Sequence, residues 1–259
     1  MGFETIIAPS LLAANQACLG QETERAGRSG ADWLHLDIMD GHFVSNLSFG
    51  PQAVKAIRPF TNRLFFDVHL MCSQPEILLG PFAKAGADEM IVHVELGEQV
   101  PDLIYEIKKL GKKVGLAISP PTAIATICPF LEQIDLLLVM TVNPGFGGQG
   151  FMPECLSKIQ QAQAWRRERN LSYRISVDGG INDQTAADCA RAGADTFVAG
   201  TSLFGEPNLK VAINNMRQIV NKNRPDRRES LKLTSESNSS VHSSASRRFA
   251  FQNGVIQNE

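Results

Sequence analysis

The feature that most constrains this chain is a joint that recurs three times: Ser29-Gly30-Ala31-Asp32, Ala85-Gly86-Ala87-Asp88 and Ala192-Gly193-Ala194-Asp195. Each stands between a stretch with helical apolar spacing and a short β-rich run. Glycine enters the left-handed backbone region without steric cost, so each joint can end a helix and launch a strand. The three glycines lie 56 and 107 residues apart, close to two and four units of about 27 residues. A chain that repeats helix, glycine stop and strand at this period builds parallel βα units.

Eight candidate strands fit the same reading: 5–8, 33–38, 64–69, 90–94, 113–117, 134–141, 173–177 and 196–199. Helical patterns lie between them. After Glu98 come an early Pro101, a stripe of Leu103, Ile104, Ile107 and Leu110, then Lys108 and Lys109 before Gly111. From Pro153, Leu156 and Ile159 face inward, and Asn182 is a good cap for a helix closing at Gly193. Eight such units predict a (β/α)8 TIM barrel. An open doubly wound sheet is the alternative, but it usually has fewer strands, and no GxGxxG follows the first strand. A chain of 259 residues fits one such domain, expected over residues 1–221. Residues 222–259 carry eight serines between Ser230 and Ser246 and seven Lys/Arg against four Asp/Glu, a composition that predicts a disordered tail.

Charge and cysteine usage narrow the partners. A formal net charge of −2 argues against a nucleic-acid ligand. The run from Leu136 to Met140 is far short of the ~20 apolar residues that cross a bilayer, so no membrane partner is expected. The N-terminus, with Glu4 and Pro9, lacks a signal peptide's apolar stretch. Five cysteines, odd in number and without a CxxC pair, read as reduced thiols of a cytoplasmic protein.

In a barrel the C-terminal strand ends point into the site. The second strand ends in His35-Leu36-Asp37-Ile38-Met39-Asp40-Gly41, and strand residues i and i+2 share a face, so His35 and Asp37 project together. The third strand places His69 at a matching height, and the seventh ends in Val177-Asp178-Gly179-Gly180. A lone strand-end histidine is more often a hydrogen-bonded structural residue. Two imidazoles and two carboxylates aimed at one mouth are harder to explain that way. Buried unpaired carboxylates cost several kcal/mol unless a cation sits between them, and no Lys or Arg lies in these strand ends. A divalent metal is the simplest solution, and Zn, Fe, Mn and Co all suit such donors. His42 (in a loop), His93 (ending the fourth strand) and His242 (in the tail) are weaker ligand candidates. Asp67, one pleat deeper than His69, is placed to orient a ligand.

Glycines cluster after the last three strands: Pro144-Gly145-Phe146-Gly147-Gly148-Gln149, Gly179-Gly180 and Gly200-Thr201-Ser202. Backbone N–H groups there can approach an anion, and barrels often hold phosphate at this place.

Together these segments closely resemble the ribulose-phosphate 3-epimerase family. The resemblance runs through Ala8-Pro9-Ser10-Leu11-Leu12, His35 to Val44, His69-Leu70-Met71, Met140 to Gln149, Val177 to Gly180 and Gly200-Thr201. It implies a metal-dependent isomerase of the pentose phosphate pathway that interconverts D-ribulose 5-phosphate and D-xylulose 5-phosphate by proton transfer at carbon 3. It also implies that His35, Asp37, His69 and Asp178 hold one divalent cation, with Asp37 and Asp178 as the acid/base groups. Ser10 and His69 would contact the substrate, and Gly145, Phe146, Gly147, Gly148, Gly179, Gly180, Gly200 and Thr201 would hold its phosphate end. Met39, Met71 and Met140 would cap the reacting carbons, and the phosphorylated ketopentose would be handled by a homo-oligomer.

The chain departs from the family pattern at Ser45, where proline is usual, and at Asn15, where Asp is frequent. The nearest rival is an allulose-6-phosphate epimerase, which keeps the metal residues. The Gly147-Gly148 and Gly179-Gly180 pairs favour the pentulose enzyme. Lysine-dependent phosphate barrels would need a catalytic lysine at a strand end, and a non-catalytic binding protein would keep a costly ionisable cluster without use.

Overall fold

The computed structural model describes residues 3–225. The serine-rich segment expected to be a tail lies, from residue 226 onward, outside them. In chain order the elements are β1 (Ile6–Pro9), α1 (Leu19–Arg28), β2 (Trp33–Met39), α2 (Pro51–Ile57), β3 (Phe65–Met71), α3 (Glu76–Ala85), β4 (Glu89–His93), α4 (Val100–Lys109), β5 (Lys113–Ile118), β6 (Leu136–Met140), α5 (Leu156–Glu168), β7 (Arg174–Asp178), α6 (Asp183–Ala192), β8 (Thr196–Ala199), α7 (Thr201–Phe204) and α8 (Leu209–Asn223). All strand pairs are parallel, in the order β1-β8-β7-β6-β5-β4-β3-β2. A parallel bridge between Ser10 and His35 joins β1 to β2 and closes the ring. The fold is the expected (β/α)8 barrel.

The joints do more than stop helices. Gly30, Gly86 and Gly193 have φ of 89°, 104° and 116°, the left-handed values expected of them. The Asp two residues on then accepts a backbone N–H from the neighbouring strand. Asp32 takes that of Ile7 at 2.8 Å, Asp88 that of Phe66 at 2.8 Å and Asp195 that of Ile175 at 3.2 Å. An arginine braces each carboxylate: Arg217, Arg58 and Arg166 respectively. The repeat therefore fixes strand register at the bottom of the barrel.

Two differences from the sequence reading have local causes. Between β5 and β6 only a 3-10 segment, Ile124–Phe130, stands in the place of an α-helix, and it contains Pro129. Proline removes an amide donor and clashes with the preceding turn. Leu110 falls one residue past the end of α4, as its C-cap, and is 38% exposed, so it leaves the buried stripe of the helix. Leu103, Ile104 and Ile107 are buried as expected.

Alternation along each strand divides the core. On β2 and β3 the residues Leu34, Leu36, Ile38, Phe66, Val68 and Leu70 pack outward in the layer under the helices. Trp33, Ile91, Ala117, Leu136, Leu138, Met140 and Val198 fill the interior. Gly115 makes room there, since a Cβ on it would lie 2.5 Å from the Ile91 side chain. The opposite phase of β2 and β3 carries His35, Asp37, Asp67 and His69 into the same interior, where all four are buried. All five cysteines are free thiols. No helix among the described residues is long and apolar enough to cross a membrane.

Candidate active site and metal centre

His35 and Asp37 leave β2 on one face, and the pairing of β2 with β3 sets Asp37 directly opposite His69. Asp178 ends β7 and arrives from another wall of the barrel. One donor atom from each of the four lies within 4.8 Å of every other. His35 Nε2 is 3.2 Å from Asp37 Oδ1, 3.3 Å from His69 Nδ1 and 3.8 Å from Asp178 Oδ2, and His69 Nδ1 is 3.3 Å from Asp37 Oδ1. Four ligands about 2.05 Å from a tetrahedral ion would stand about 3.3 Å apart. His35, Asp37 and His69 match that spacing, Asp178 stands farther out, and the nitrogen–oxygen mix and charge of the set could hold one metal ion.

The ligand candidates are themselves held. Asp67 Oδ2 lies 2.8 Å from His35 Nδ1 and accepts its proton, which leaves Nε2 as the donor atom. Ser10 donates its hydroxyl proton to Asp37 Oδ2 at 2.6 Å. The Ser48 hydroxyl donates to the Asp37 carbonyl at 2.5 Å and accepts the Met39 amide at 3.0 Å, fixing the end of β2. Sequence reasoning passed over Ser48, because a serine in a polar loop carries no local signal.

His93 is absent from the four-donor group, yet it is joined to it: its Nε2 sits 2.8 Å from His69 Nε2, and its Nδ1 2.9 Å from Glu95 Oε2. Glu95 escaped the sequence reading altogether, although its place two residues after a strand-end histidine was the available clue.

The two carboxylates differ electrostatically. Burial would raise Asp37, but the His35 charge and hydrogen bonds with His35 and His69 outweigh it and hold the carboxyl well below its usual range. Burial pushes Asp178 up to about 7, the Asp37 charge adding to it and His35 opposing. Burial also lowers His69 to about 4, with repulsion from His93 and His35 against a hydrogen bond with Asp37. Paired titratable groups driven apart in this way are characteristic of acid/base sites.

Above the cluster opens a cavity of about 620 Å³ lined by Ser10, Asp37, Met39, Met71, Met140 and Asp178, and rimmed by Gly145 to Gly148, Gly179, Gly180, Gly200 and Thr201. The site residues expected from the sequence therefore meet at one mouth, with His35 and His69 sealed beneath it. Thr141 donates its hydroxyl proton to the Gly179 carbonyl at 2.6 Å, which ties the β6 and β7 loops. The Asn46 amide donates to the Gly145 carbonyl at 2.7 Å, across the mouth. Asn15 caps the turn at Gln16–Cys18 by accepting the Ala17 amide at 3.1 Å, so the departure from Asp keeps the cap acceptor. Ser45 is exposed beside this loop tie.

A (β/α)8 barrel with a four-donor cluster that could hold a metal ion under a glycine-rimmed mouth is the class that fold and site define. The chain belongs to the Ribulose-phosphate 3 epimerase family, which it matches over residues 6–204. It is therefore an epimerase, a member of the isomerases. It is 42% identical over 228 residues to a ribulose-phosphate 3-epimerase of Synechocystis, covering 87% of this chain and 97% of that one. It is 43% identical over 212 residues to the ribulose-phosphate 3-epimerase of Bacillus subtilis, covering 82% and 97%. Among solved structures, a 3-keto-L-gulonate-6-phosphate decarboxylase from Vibrio cholerae aligns over 86% of this chain and 100% of its own, with a TM-score of 0.65 at 16% identity. That likeness concerns the fold alone.

Proposed function

We propose that this epimerase interconverts D-ribulose 5-phosphate and D-xylulose 5-phosphate at carbon 3, with Asp37 and Asp178 as the two proton-transfer groups. The observation that carries the assignment is the meeting of these carboxylates, from separate walls, inside one donor cluster at the floor of the cavity. Inverting a carbon needs one group to remove the proton and another to return one on the opposite face. Asp37, held ionised, is fit to accept a proton. Asp178 faces it from the other wall and would return a proton on the opposite face; with a cation bound, both carboxyls would titrate lower and either one could act as the base.

His35, Asp37, His69 and Asp178 would hold the cation, and two nitrogens with two carboxylates suit Zn, Fe, Mn or Co. When bound, such a cation supplies Lewis-acid stabilisation of charge developing on the substrate oxygens. The Ser10 hydroxyl orients Asp37 and faces the cavity. Met39, Met71 and Met140 line it with apolar surface that excludes water from the reacting carbons. The backbone at Gly145, Phe146, Gly147, Gly148, Gly179, Gly180, Gly200 and Thr201 would receive the phosphate. A homo-oligomer in the cytoplasm completes the reading; its support is the family resemblance.

The test is proton exchange. Incubation of the purified protein with D-ribulose 5-phosphate in D2O should yield xylulose 5-phosphate deuterated at carbon 3, followed by NMR. Absence of exchange with divalent metal supplied refutes the proposal.

A further inference from the structure

His69 and His93 face each other through their Nε2 atoms at 2.8 Å, and both side chains are fully buried. A contact that short between two ring nitrogens needs a proton on one and a bare lone pair on the other. Solvent cannot supply a third partner. With both rings neutral, two arrangements remain. In one, His69 carries its proton on Nε2 and leaves Nδ1 free toward Asp37 and His35, so His93 Nε2 is bare and its proton sits on Nδ1. In the other, both protons move across, and His69 Nδ1 is protonated where the cation would bind.

Glu95 chooses between them. Its Oε2 lies 2.9 Å from His93 Nδ1, and a carboxylate only accepts. Its other oxygen accepts the Ser119 amide at 2.8 Å. The loop carrying Ser119 is anchored in turn, since Lys158 Nζ donates to the carbonyls of Ser119, Pro120 and Thr122 at 2.8, 2.8 and 2.6 Å. Asp67 does the same service for His35 in a single step. For His69 the carboxylate acts through an intervening imidazole.

The geometry points to His93 and Glu95 as positioning residues that set the His69 tautomer and so present Nδ1 to the metal. The inference rests on His69 being a ligand, as proposed above. Partners of this kind typically hold about 10- to 100-fold of metal affinity.

The full-length protein, stripped of metal with a chelator, would be titrated with Co²⁺ and followed by its visible d–d absorption. The wild type should take up one ion per chain, and His69→Ala should abolish the band. Glu95→Gln and His93→Phe should each weaken Co²⁺ binding by about 10- to 100-fold and shift the band. His93→Gln should recover part of the loss, because its amide oxygen can accept from His69 while its nitrogen donates to Glu95. Thermal unfolding of the metal-free Glu95→Gln protein should match the wild type, which a merely structural role would not allow. Glu95→Gln decides the matter alone if His93→Phe does not fold. Wild-type affinity and an unchanged band in Glu95→Gln overturn the inference while leaving the ligand set intact. A wild type that takes up no Co²⁺, or a His69→Ala protein that still does, overturns the ligand set and the inference with it.

Discussion

Asp37 and Asp178 stand on strands that share no hydrogen bond, yet a carboxylate oxygen of each lies within 4.8 Å of the other. Two acidic groups so placed cannot both be charged cheaply at the floor of a barrel. A bound cation relieves the conflict, and in its absence the asymmetry of their surroundings does. His35 and His69 favour the ionised form of Asp37, while the charge of Asp37 itself raises Asp178.

If these two carboxylates are the proton-transfer groups, Asp37→Asn and Asp178→Asn should each reduce turnover by about 10²- to 10⁴-fold, because an amide cannot accept the proton. Each variant should still exchange the carbon-3 proton of whichever epimer faces its remaining carboxylate, without converting that epimer. NMR of both pure substrates in D2O reads this directly. Turnover above a tenth of wild type in either variant would remove that residue from the chemistry.

Metal uptake should release protons in a pH-dependent way. Burial disfavours a charged His35, but Asp37 and Asp67 outweigh it and raise its pKa well above the usual value, so it must lose a proton to ligate. Asp178, at about 7, is protonated below that pH and ionised above it. His69, at about 4, is already neutral. Release should fall as pH rises through about 7, where Asp178 ionises before the metal arrives. Calorimetric titration in buffers of different ionisation enthalpy counts them, and a count that does not decline over this range contradicts the assignment.

The phosphate rim is testable at Gly180, whose φ is +64° and where a Cβ would lie 2.6 Å from the Phe151 amide nitrogen. Gly180→Ala must displace the β6 loop or strain its own backbone, at a cost of about 1–3 kcal/mol. Steady-state kinetics should show KM raised by about tenfold, equivalent to about 1.4 kcal/mol, with kcat changed much less. An unchanged KM would place the phosphate elsewhere.

Glu89 offers a prediction about stability. It is 1% exposed, its Oε2 has no hydrogen-bond partner among the described residues, and Asp67 stands opposite it on β3. Burial pushes its carboxyl well above the usual range; Asp67 and Asp135 add to this, and Lys113 and Arg174 oppose it. A carboxyl raised by folding contributes stability that is complete below its unfolded value and is lost as pH rises through the folded one. Wild type should therefore lose stability relative to Glu89→Gln as pH increases from 5 to 9. Urea midpoints that run parallel for the two proteins across this range would refute it.

What the sequence determined by itself was whatever depends on local period and local backbone freedom. The glycine joints marked the βα units, and the alternation of β2 and β3 put His35, Asp37 and His69 on one inward face. The glycine runs marked the rim. Asp178 was legible too, since the end of the seventh strand has only one mouth to face. Tertiary structure alone decided which buried groups touch. His93 was a strand-end histidine without an evident task until its ring met His69, and Glu95 gained significance only through His93. The Asp clamps beneath the joints, the split between Asp37 and Asp178, and the isolation of Glu89 have the same origin. Tautomers and pKa values are set by desolvation and by charges a few ångströms away, and those neighbours come from segments distant in sequence.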